Sequence, residues 1–347
     1  MKDTIKLLLL WYNENDYDLP WRKTSNPYKI WISEIMLQQT QVNTVKGYYN
    51  QWIKKFPTIQ KLGGSHIDDI LKIWEGLGYY QRAHNIHAAS KIIIKKYKGG
   101  IPNSYIDLIK LRGIGDYTAS AILSIAYNKP YPAIDGNLKR VISRLYMLSN
   151  RKNIINIAKS KISPSMKSFY PSDINQALMD LGREICTSKK PSCTICPIRQ
   201  KCLSYKNNKV DLFPTRIKLK KIKFYNIVAG MIWKNNKLLI NKRKKDGLLG
   251  GLWELPGGKI KENETQKECL KREILEETNI RVTINRKIGE IKHQYSHFGI
   301  NFTAYICEYK SGKEKALTGE EIKWIKYKDV KNYAFPKATL KIFELKK

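Results

Sequence analysis

Acidic residues are scarce in this chain. Asp and Glu total 30 against 64 Lys and Arg, a formal net charge of +34 over 347 residues. That imbalance exceeds what solubility needs and makes a polyanion the expected partner. The chain is rich in Lys, Ile and Asn, so charge alone leaves compositional drift open as a cause. Long apolar runs are missing as well. None approaches the roughly 18 residues of a membrane span. A secretory leader is not expected: Asp3 sits in the would-be basic region, and the apolar stretch from Leu7 to Tyr12 is too short. A secreted or membrane protein is therefore not expected. No internal repeat or low-complexity tract is seen. Hydrophobic residues at 42% and charged residues at 27% describe an ordinary globular chain, too apolar for disorder. At roughly 100–200 residues per domain, the length predicts two or three domains.

Cysteine is also sparse, but its placement is uneven. Cys186, Cys193, Cys196 and Cys202 form a C-x6-C-x2-C-x5-C run, while Cys269 and Cys307 stand alone. A tight cluster in an intracellular chain points to metal rather than disulfides. A zinc ribbon usually joins two CxxC knuckles from a distance, and here there is one. Four thiolates in one short loop suit a [4Fe–4S] cluster, with zinc as the alternative. Lys189, Lys190, Arg199 and Lys201 decorate the loop, as a structural cluster folding a basic loop against phosphates would require.

Strand signals are nearly absent before residue 205. Segments near 28–39, 41–56, 66–75, 79–97, 104–110, 116–127, 136–149 and 172–182 carry apolar residues at helical spacing. Residues 206–224 are basic and polar and read as a linker. Beyond them the period changes: strands at 225–233 and 237–242 about an Asn235-Asn236 turn, a helix over 264–278, strands at 281–292 and 298–309, and a terminal helix from Pro336. An all-α half precedes a smaller α/β half.

Three features of the helical half carry chemistry. The stretch Leu111-Arg112-Gly113-Ile114-Gly115-Asp116-Tyr117 joins two helical segments. Gly113 and Gly115 are expected to take backbone angles closed to other residues and to bare N–H groups at a helix start, a sequence-independent phosphate grip. A plain helix–turn–helix corner is the alternative. Asp135 precedes a helix, where it reads as an N-cap. A carboxylate so placed is expected to stay ionised, as one stabilising a developing cation must. Glu34 shares a helical face with Trp31, Ile35 and Gln38. Apolar surroundings would raise its pKa and make it a proton donor, whereas an ordinary solvated glutamate would not be one. One neutral acid plus one carboxylate is equipment for breaking a glycosidic bond through an oxocarbenium-like transition state.

Taken together, LPWR (19–22), WISEIMLQQTQV (31–42), GLGYYQRAHN (76–85), LRGIGDYTASAI (111–122), AIDGNLKRV (133–141), NQALMDLG (175–182) and the four cysteines resemble the endonuclease III superfamily of helix–hairpin–helix DNA glycosylases. Within it they look like the MutY family of adenine DNA glycosylases. The resemblance implies that Glu34 protonates adenine at N7 and that Asp135 stabilises the sugar cation. Tyr117 and Asn137 would help hold that intermediate. Gln39 and Tyr79 would wedge into the duplex where the base leaves it, although Tyr79-Tyr80 also reads as core aromatics at a helix start. Arg22 and Asp180 would contact the flipped base, and Lys139 would lie near the DNA. The cysteines would hold the [4Fe–4S] cluster. Bifunctional superfamily members carry lysine at position 117, and a phenol there cannot form a Schiff base, so base removal without strand cleavage is expected.

Residues 225–347 resemble a Nudix domain, which MutY proteins use to sense 8-oxoguanine. Gly258, Glu264 and Arg272 through Ile280 follow the Nudix pattern, except that Asn279 stands where glycine is usual. Glu273, Glu276 and Glu277 fall on one helical face, where like charges repel unless Mg²⁺ sits among them. They are expected either to bind Mg²⁺ or Mn²⁺ weakly or to lie spread in solvent. His293-Gln294-Tyr295-Ser296-His297 matches the family's 8-oxoguanine loop, with Tyr295, Ser296 and His297 as its reading residues. Ser296 can accept a hydrogen bond from the N7–H that guanine lacks.

The expected fold is thus multidomain. A helical glycosylase domain spans 1–205, with a six-helix barrel over about 21–135 and an iron–sulfur part from 1–20 and 136–205. A linker covers 206–224, and a Nudix-like α/β domain covers 225–347. The expected protein is a monomer in the cytoplasm, associated with the bacterial nucleoid, acting on double-stranded DNA with adenine opposite 8-oxoguanine or guanine. The rival readings are another endonuclease III-like specificity and a nucleotide pyrophosphohydrolase.

Overall fold

Local chemistry sets the helix boundaries in the first half of the chain. The structure is a computed structural model and describes residues 1–15, 17–215 and 221–346. Pro27 opens the helix Pro27–Leu37 behind Asn26, whose side chain accepts from the Lys29 N–H. Asn150 caps Arg151–Ile162 by accepting from the Lys152 and Asn153 N–H groups. Pro171 opens Pro171–Asp180, which runs on into a π turn over Leu181–Ile185. Helices Val42–Lys55, Asp116–Ile125 and Gly136–Tyr146 lie close to the expected ends. Lys2–Asn13 and Arg151–Ile162 are helices that the periodicity does not assign. Ile154, Ile155 and Ile157 weaken local helix preference in the second. Burial of Ile154, Ala158 and Ile162 overrides it.

The chain divides into two compact units, Met1–Gly64 with Asn85–Lys218, and Ser65–His84 with Leu219–Lys347. In the first unit one apolar cluster joins Ile5 and Leu8 to Leu138, Val141 and Ile142 and to Ile174 and Leu178. Cys186, Cys196 and Cys202 pack on its edge. Elsewhere in this unit Trp52 meets Phe56 edge to face at 5.0 Å, and its indole N–H donates to Tyr28 Oη at 3.2 Å. Pro27–Leu37 is buried from Ile30 through Met36, including Glu34.

The second unit is a seven-stranded sheet. Its strands are β1 (Lys223–Lys234), β2 (Lys237–Lys242), β3 (Trp253–Glu254), β4 (Gly257–Lys259), β5 (Ile280–Gln294), β6 (Phe298–Gly312) and β7 (Glu321–Lys326). The order is β3-β2-β1-β6-β5, with β4 also on β1 and β7 also on β2. β1 and β6 run parallel from Lys223 opposite Phe298 to Trp233 opposite Glu308. Alternation sorts the faces. Ala229, Met231 and Ile240 pack with Phe335, Ile342 and Phe343 around the terminal helix Lys337–Leu345. Val228, Ile232 and Leu239 pack with Leu270 and Ile274 of the helix Gln266–Thr278 on the other face.

Turn chemistry fits. Asn235 and Asn236 hold φ of 48° and 59°, as a two-residue hairpin turn requires. Thr265 and Glu268 form a reciprocal capping box. Asn279 closes that helix at φ 57°, so asparagine fills the left-handed position where glycine is usual. The sequence pattern does not announce β3, β4 or β7, and the first two are too short for a period of two to show. Within the expected linker, a short helix ends at Lys206, a 3₁₀ turn covers Val210–Leu212, and β1 starts at Lys223. Residues 216–220 of the linker lie outside the described residues.

Ser65–His84 belongs to the second unit through specific bonds. Lys242 Nζ lies 2.6 Å from Asp68, and Lys72 Nζ donates to Tyr333 O at 3.0 Å. The Phe335 N–H donates to Glu75 at 2.7 Å. Among the described residues, no helix is long and apolar enough to cross a membrane.

Candidate active site

Glu34 lies 4% exposed in the middle of its helix. Tyr117, from the first turn of Asp116–Ile125, donates its hydroxyl to Glu34 Oε2 at 2.6 Å. Burial raises the Glu34 pKa; the Tyr117 hydrogen bond and Arg22 pull it down, and Asp135 adds to the rise. The solvated-glutamate alternative therefore falls. Tyr117 is pushed well above the ordinary phenol value, chiefly by burial and then by Glu34. Asp135 caps Gly136–Tyr146 by accepting from the Leu138 N–H at 2.6 Å. Its pKa is raised by burial, while the Leu138 and Asn137 N–H groups and Arg140 oppose the rise. The helix N-terminus favours the charged carboxylate. Desolvation of the partly enclosed carboxyl outweighs it.

The remaining first-unit candidates surround this core. Arg22 Nη2 reaches both Asp180 oxygens at 3.2 Å, and Arg183 meets the same carboxylate at 3.1 Å. Arg22 and Asp180 are thus bonded to each other. Burial raises the Asp180 pKa against both arginines. Asn137 Oδ1 accepts from Arg140 at 2.9 Å. A side chain at Gly182 would meet Asn137 Cβ at 2.6 Å, so glycine permits that approach. A cleft of about 580 Å³ opens here, lined by Tyr17, Thr40, Val42, Asn137, Arg183 and Glu184 among others. Arg183 lies over the Tyr17 ring at 5.0 Å. Tyr17 and Arg183 were not singled out from the sequence. The position of Arg183 just past the NQALMDLG stretch was the available signal. Lys139, one turn past Asp135, has its pKa lowered by burial and then by Arg151.

The two expected wedge residues share a backbone feature. Gln39 and Tyr79 hold φ of 57° and 49°, a region costly for residues with a side chain. In the second unit, Tyr79 Oη donates to Ser296 Oγ at 2.6 Å, and Arg82 lies 5.5 Å from the Tyr79 ring.

In the hairpin, Gly113 has φ +81°, and a side chain there would meet Asn85 Cβ at 2.8 Å. Gly115 corrects the expectation. Its φ of −100° and ψ of −174° are open to any residue, and a Cβ there would meet nothing within 4 Å. Its lack of a side chain leaves the N-terminus of Asp116–Ile125 uncovered rather than relieving backbone strain.

Cys186, Cys193, Cys196 and Cys202 line one apolar cavity of about 30 Å³. Arg144 Nη1 donates to Cys186 Sγ at 3.3 Å, and Arg140 Nε donates to Cys186 O at 2.6 Å. Burial raises the Cys193, Cys196 and Cys202 thiols, Cys196 up to about 12. Among the described residues, no three Cys, His, Asp or Glu side chains stand in metal-holding geometry. The donor set is nonetheless all sulfur around one cavity, which fits an iron–sulfur cluster by its chemistry.

On the Nudix-like face an arginine lies among the glutamates. Arg272 Nη1 lies 2.7 Å from Glu273 and 3.1 Å from Glu276, and its other nitrogens grip Glu264 at 2.6 and 2.8 Å. Glu277 turns inward, accepts from the Gly257 N–H at 3.0 Å, and has its pKa pushed up to about 8 by burial and then by Glu254. Glu276 is exposed, and Glu273 and Glu277 are half-buried. One arginine neutralises two of them, and burial separates the third. Glu277 and Glu273 border a cavity of about 540 Å³ that also takes Tyr295, His297, Arg243 and Glu254. Tyr295 stacks on Phe298 at 4.9 Å. Ser296, between them in sequence, is instead bonded to Tyr79.

Known proteins match both halves. A family profile described as HhH-GPD superfamily base excision DNA repair protein covers residues 32–164, and one described as NUDIX domain covers 228–345. An adenine DNA glycosylase of Buchnera aphidicola subsp. Baizongia pistaciae (strain Bp) is 40% identical over 297 residues, 84% of this chain and 82% of that protein. Its counterpart from subsp. Acyrthosiphon pisum (strain APS) is 36% identical over 98% of this chain and 96% of that one. A solved thermostable thymine-DNA glycosylase is similar to 58% of this chain and 95% of its own, with a TM-score of 0.53 and 28% identity.

Proposed function

The chain belongs to the adenine DNA glycosylase family, and on that premise we propose that it removes adenine opposite 8-oxoguanine or guanine in duplex DNA and leaves the strand intact. The observation that carries this reading is the buried Glu34–Tyr117 hydrogen bond at 2.6 Å beside the capped Asp135. Tyr117 occupies Oε2 of Glu34, which leaves Oε1 to carry the transferable proton. Burial keeps that proton to a higher pH than an exposed glutamate would. Glu34 gives it to N7 of adenine. The glycosidic C–N bond breaks with its electron pair leaving on the base, and the sugar becomes an oxocarbenium ion. Asp135, fixed by the Leu138 N–H, stabilises that cation until water adds. Tyr117 offers no amine, so no Schiff base forms and no β-elimination follows.

The functional division we propose is excision by 1–205 and recognition of 8-oxoguanine by 225–347, with 206–224 between them. Gln39 and Tyr79 fill the gap left by the extruded base. Ser296 reads N7–H of 8-oxoguanine, flanked by Tyr295 and His297. Gly113, Gly115 and Lys139 contact the backbone, and Asn137 helps hold the sugar intermediate. Arg22 and Asp180 position the base pocket together. Cys186, Cys193, Cys196 and Cys202 hold a [4Fe–4S] cluster, which contributes a folded basic loop. Excision does not need a divalent ion at Glu273, Glu276 and Glu277, because breaking the glycosidic bond calls on a proton donor and a carboxylate.

One assay tests this reading. The protein is incubated with a duplex holding adenine opposite 8-oxoguanine, then split with and without alkali. Nicking at the adenine only after alkali is the expected result. Nicking without alkali overturns the monofunctional reading. Cleavage of a T·G duplex in its place assigns the thymine specificity.

A further inference from the structure

A second cavity, of about 680 Å³, borders the candidate active site within the first unit. Arg151 and Lys159 enter it from one helix, two turns apart on one face with Ile155 between them. Lys139 enters from Gly136–Tyr146, one turn beyond Asp135. Tyr117 forms part of the wall, the same side chain whose hydroxyl holds Glu34. Another part is Tyr105, stacked on Tyr131 at 5.6 Å with the rings 5° apart.

The charge of this cavity is unbalanced. One carboxylate faces it, Asp116, and its Oδ1 accepts from Tyr105 Oη at 2.7 Å. Among the described residues, Lys139, Arg151 and Lys159 form no ion pair with any carboxylate. Lys139 and Arg151 line the same partly enclosed space, and burial and Arg151 depress the Lys139 pKa while Asp135 raises it. Repulsion between the two cations is relieved by an anion between them. The anion would lie beside the residues that act on the sugar, where a strand drawn into the site must bring its phosphates.

We propose that this cavity seats backbone phosphates flanking the excised adenosine, with Arg151 and Lys159 joining Lys139 as their ligands. The proposal rests on the duplex-binding reading above. It adds a grip on the strand separate from the glycine hairpin.

The test is fluorescence anisotropy of the full chain on a duplex with adenine opposite 8-oxoguanine, its adenosine carrying a 2′-fluoro group that blocks cleavage. Affinity is measured across KCl concentrations. Each lost phosphate contact lowers the slope of log affinity against log salt by about 0.9, so Arg151→Ala with Lys159→Ala lowers it by about 1.8. Arg151→Lys with Lys159→Arg keeps the wild-type slope. So does Lys152→Ala with Lys161→Ala, on the same helix outside the cavity. An unchanged slope in the first pair, or an equal fall in the control pair, overturns the proposal. Inorganic phosphate at matched ionic strength separates the sources. If it competes with DNA only when Arg151 and Lys159 are present, while their loss leaves the slope alone, the cavity holds a free anion and the strand assignment fails. A wild-type chain that binds no duplex fails the earlier reading and this one with it. A binding wild type with an unaffected double variant fails this one alone.

Discussion

Glu34→Gln separates catalysis from folding, because the structure assigns opposite signs to the two effects. The introduced amide keeps a carbonyl oxygen where Tyr117 donates at 2.6 Å, so the buried hydroxyl stays satisfied. It cannot transfer a proton. Loss of a general acid costs about 10²–10⁴ in rate, or about 2.7–5.4 kcal/mol of transition-state stabilisation at about 1.36 kcal/mol per decade. Stability moves the other way. The folded Glu34 pKa is raised above 4.5, its ordinary value. Ionisation of the buried carboxyl therefore costs nothing below the unfolded pKa. Its cost grows as pH rises and is complete above the folded pKa. Glutamine removes that cost, so the variant melts with wild type at acid pH and above it at neutral pH. Single-turnover excision under saturating enzyme and thermal melts across pH 4–8 check both halves. Near wild-type excision refutes the acid role. Full loss of excision with a lower melting temperature at neutral pH refutes the buried-carboxyl argument and makes the loss one of folding.

Other expected outcomes follow from the same geometry. Tyr117→Lys places an amine beside the sugar and gains a borohydride-trappable adduct on adenine-containing duplex; no adduct above wild type means that position 117 does not face the sugar. The purified protein is yellow-brown, with iron and sulfide at four each per chain as a [4Fe–4S] cluster demands; stoichiometric zinc without iron refutes that donor assignment. Glu277, with a folded pKa of about 8 against 4.5 ordinarily, destabilises the fold progressively from about pH 4.5 to 8, and Glu277→Gln flattens that slope in melts. EDTA leaves excision on a preformed complex unchanged, and an abolished rate refutes metal independence.

What could be read from the sequence depended on the range of the interaction that decided each feature. Helix spacing and caps act over three or four residues, so Pro27–Leu37, Gly136–Tyr146 and Pro171–Asp180 were legible. β3 and β4, of two and three residues, are set by pairing with distant strands and leave no local period. The Glu34–Tyr117 bond spans 83 positions, and nothing in either segment alone announces it. The family resemblance supplied both ends, and the structure supplied the 2.6 Å between them. The three glutamates of the Nudix-like helix show the remaining gap. Spacing placed Glu273, Glu276 and Glu277 on one face and left repulsion to be relieved by a cation. Arg272 is that cation, and it is covalently present. Its planar fork satisfies Glu264 with two nitrogens and shares a third between Glu273 and Glu276, which a point charge on lysine could not match. The i,i+4 pairing of Arg272 with Glu276 was visible in the sequence; its reach back to Glu264 depends on the loop before the helix. Glu277, one position on from Glu276, points instead toward Gly257 and Glu254, where desolvation rather than repulsion is the larger influence on its pKa. A Nudix helix can thus keep its acidic pattern while its carboxylates are satisfied internally. The acidic pattern alone therefore does not distinguish a metal-binding hydrolase from a recognition domain.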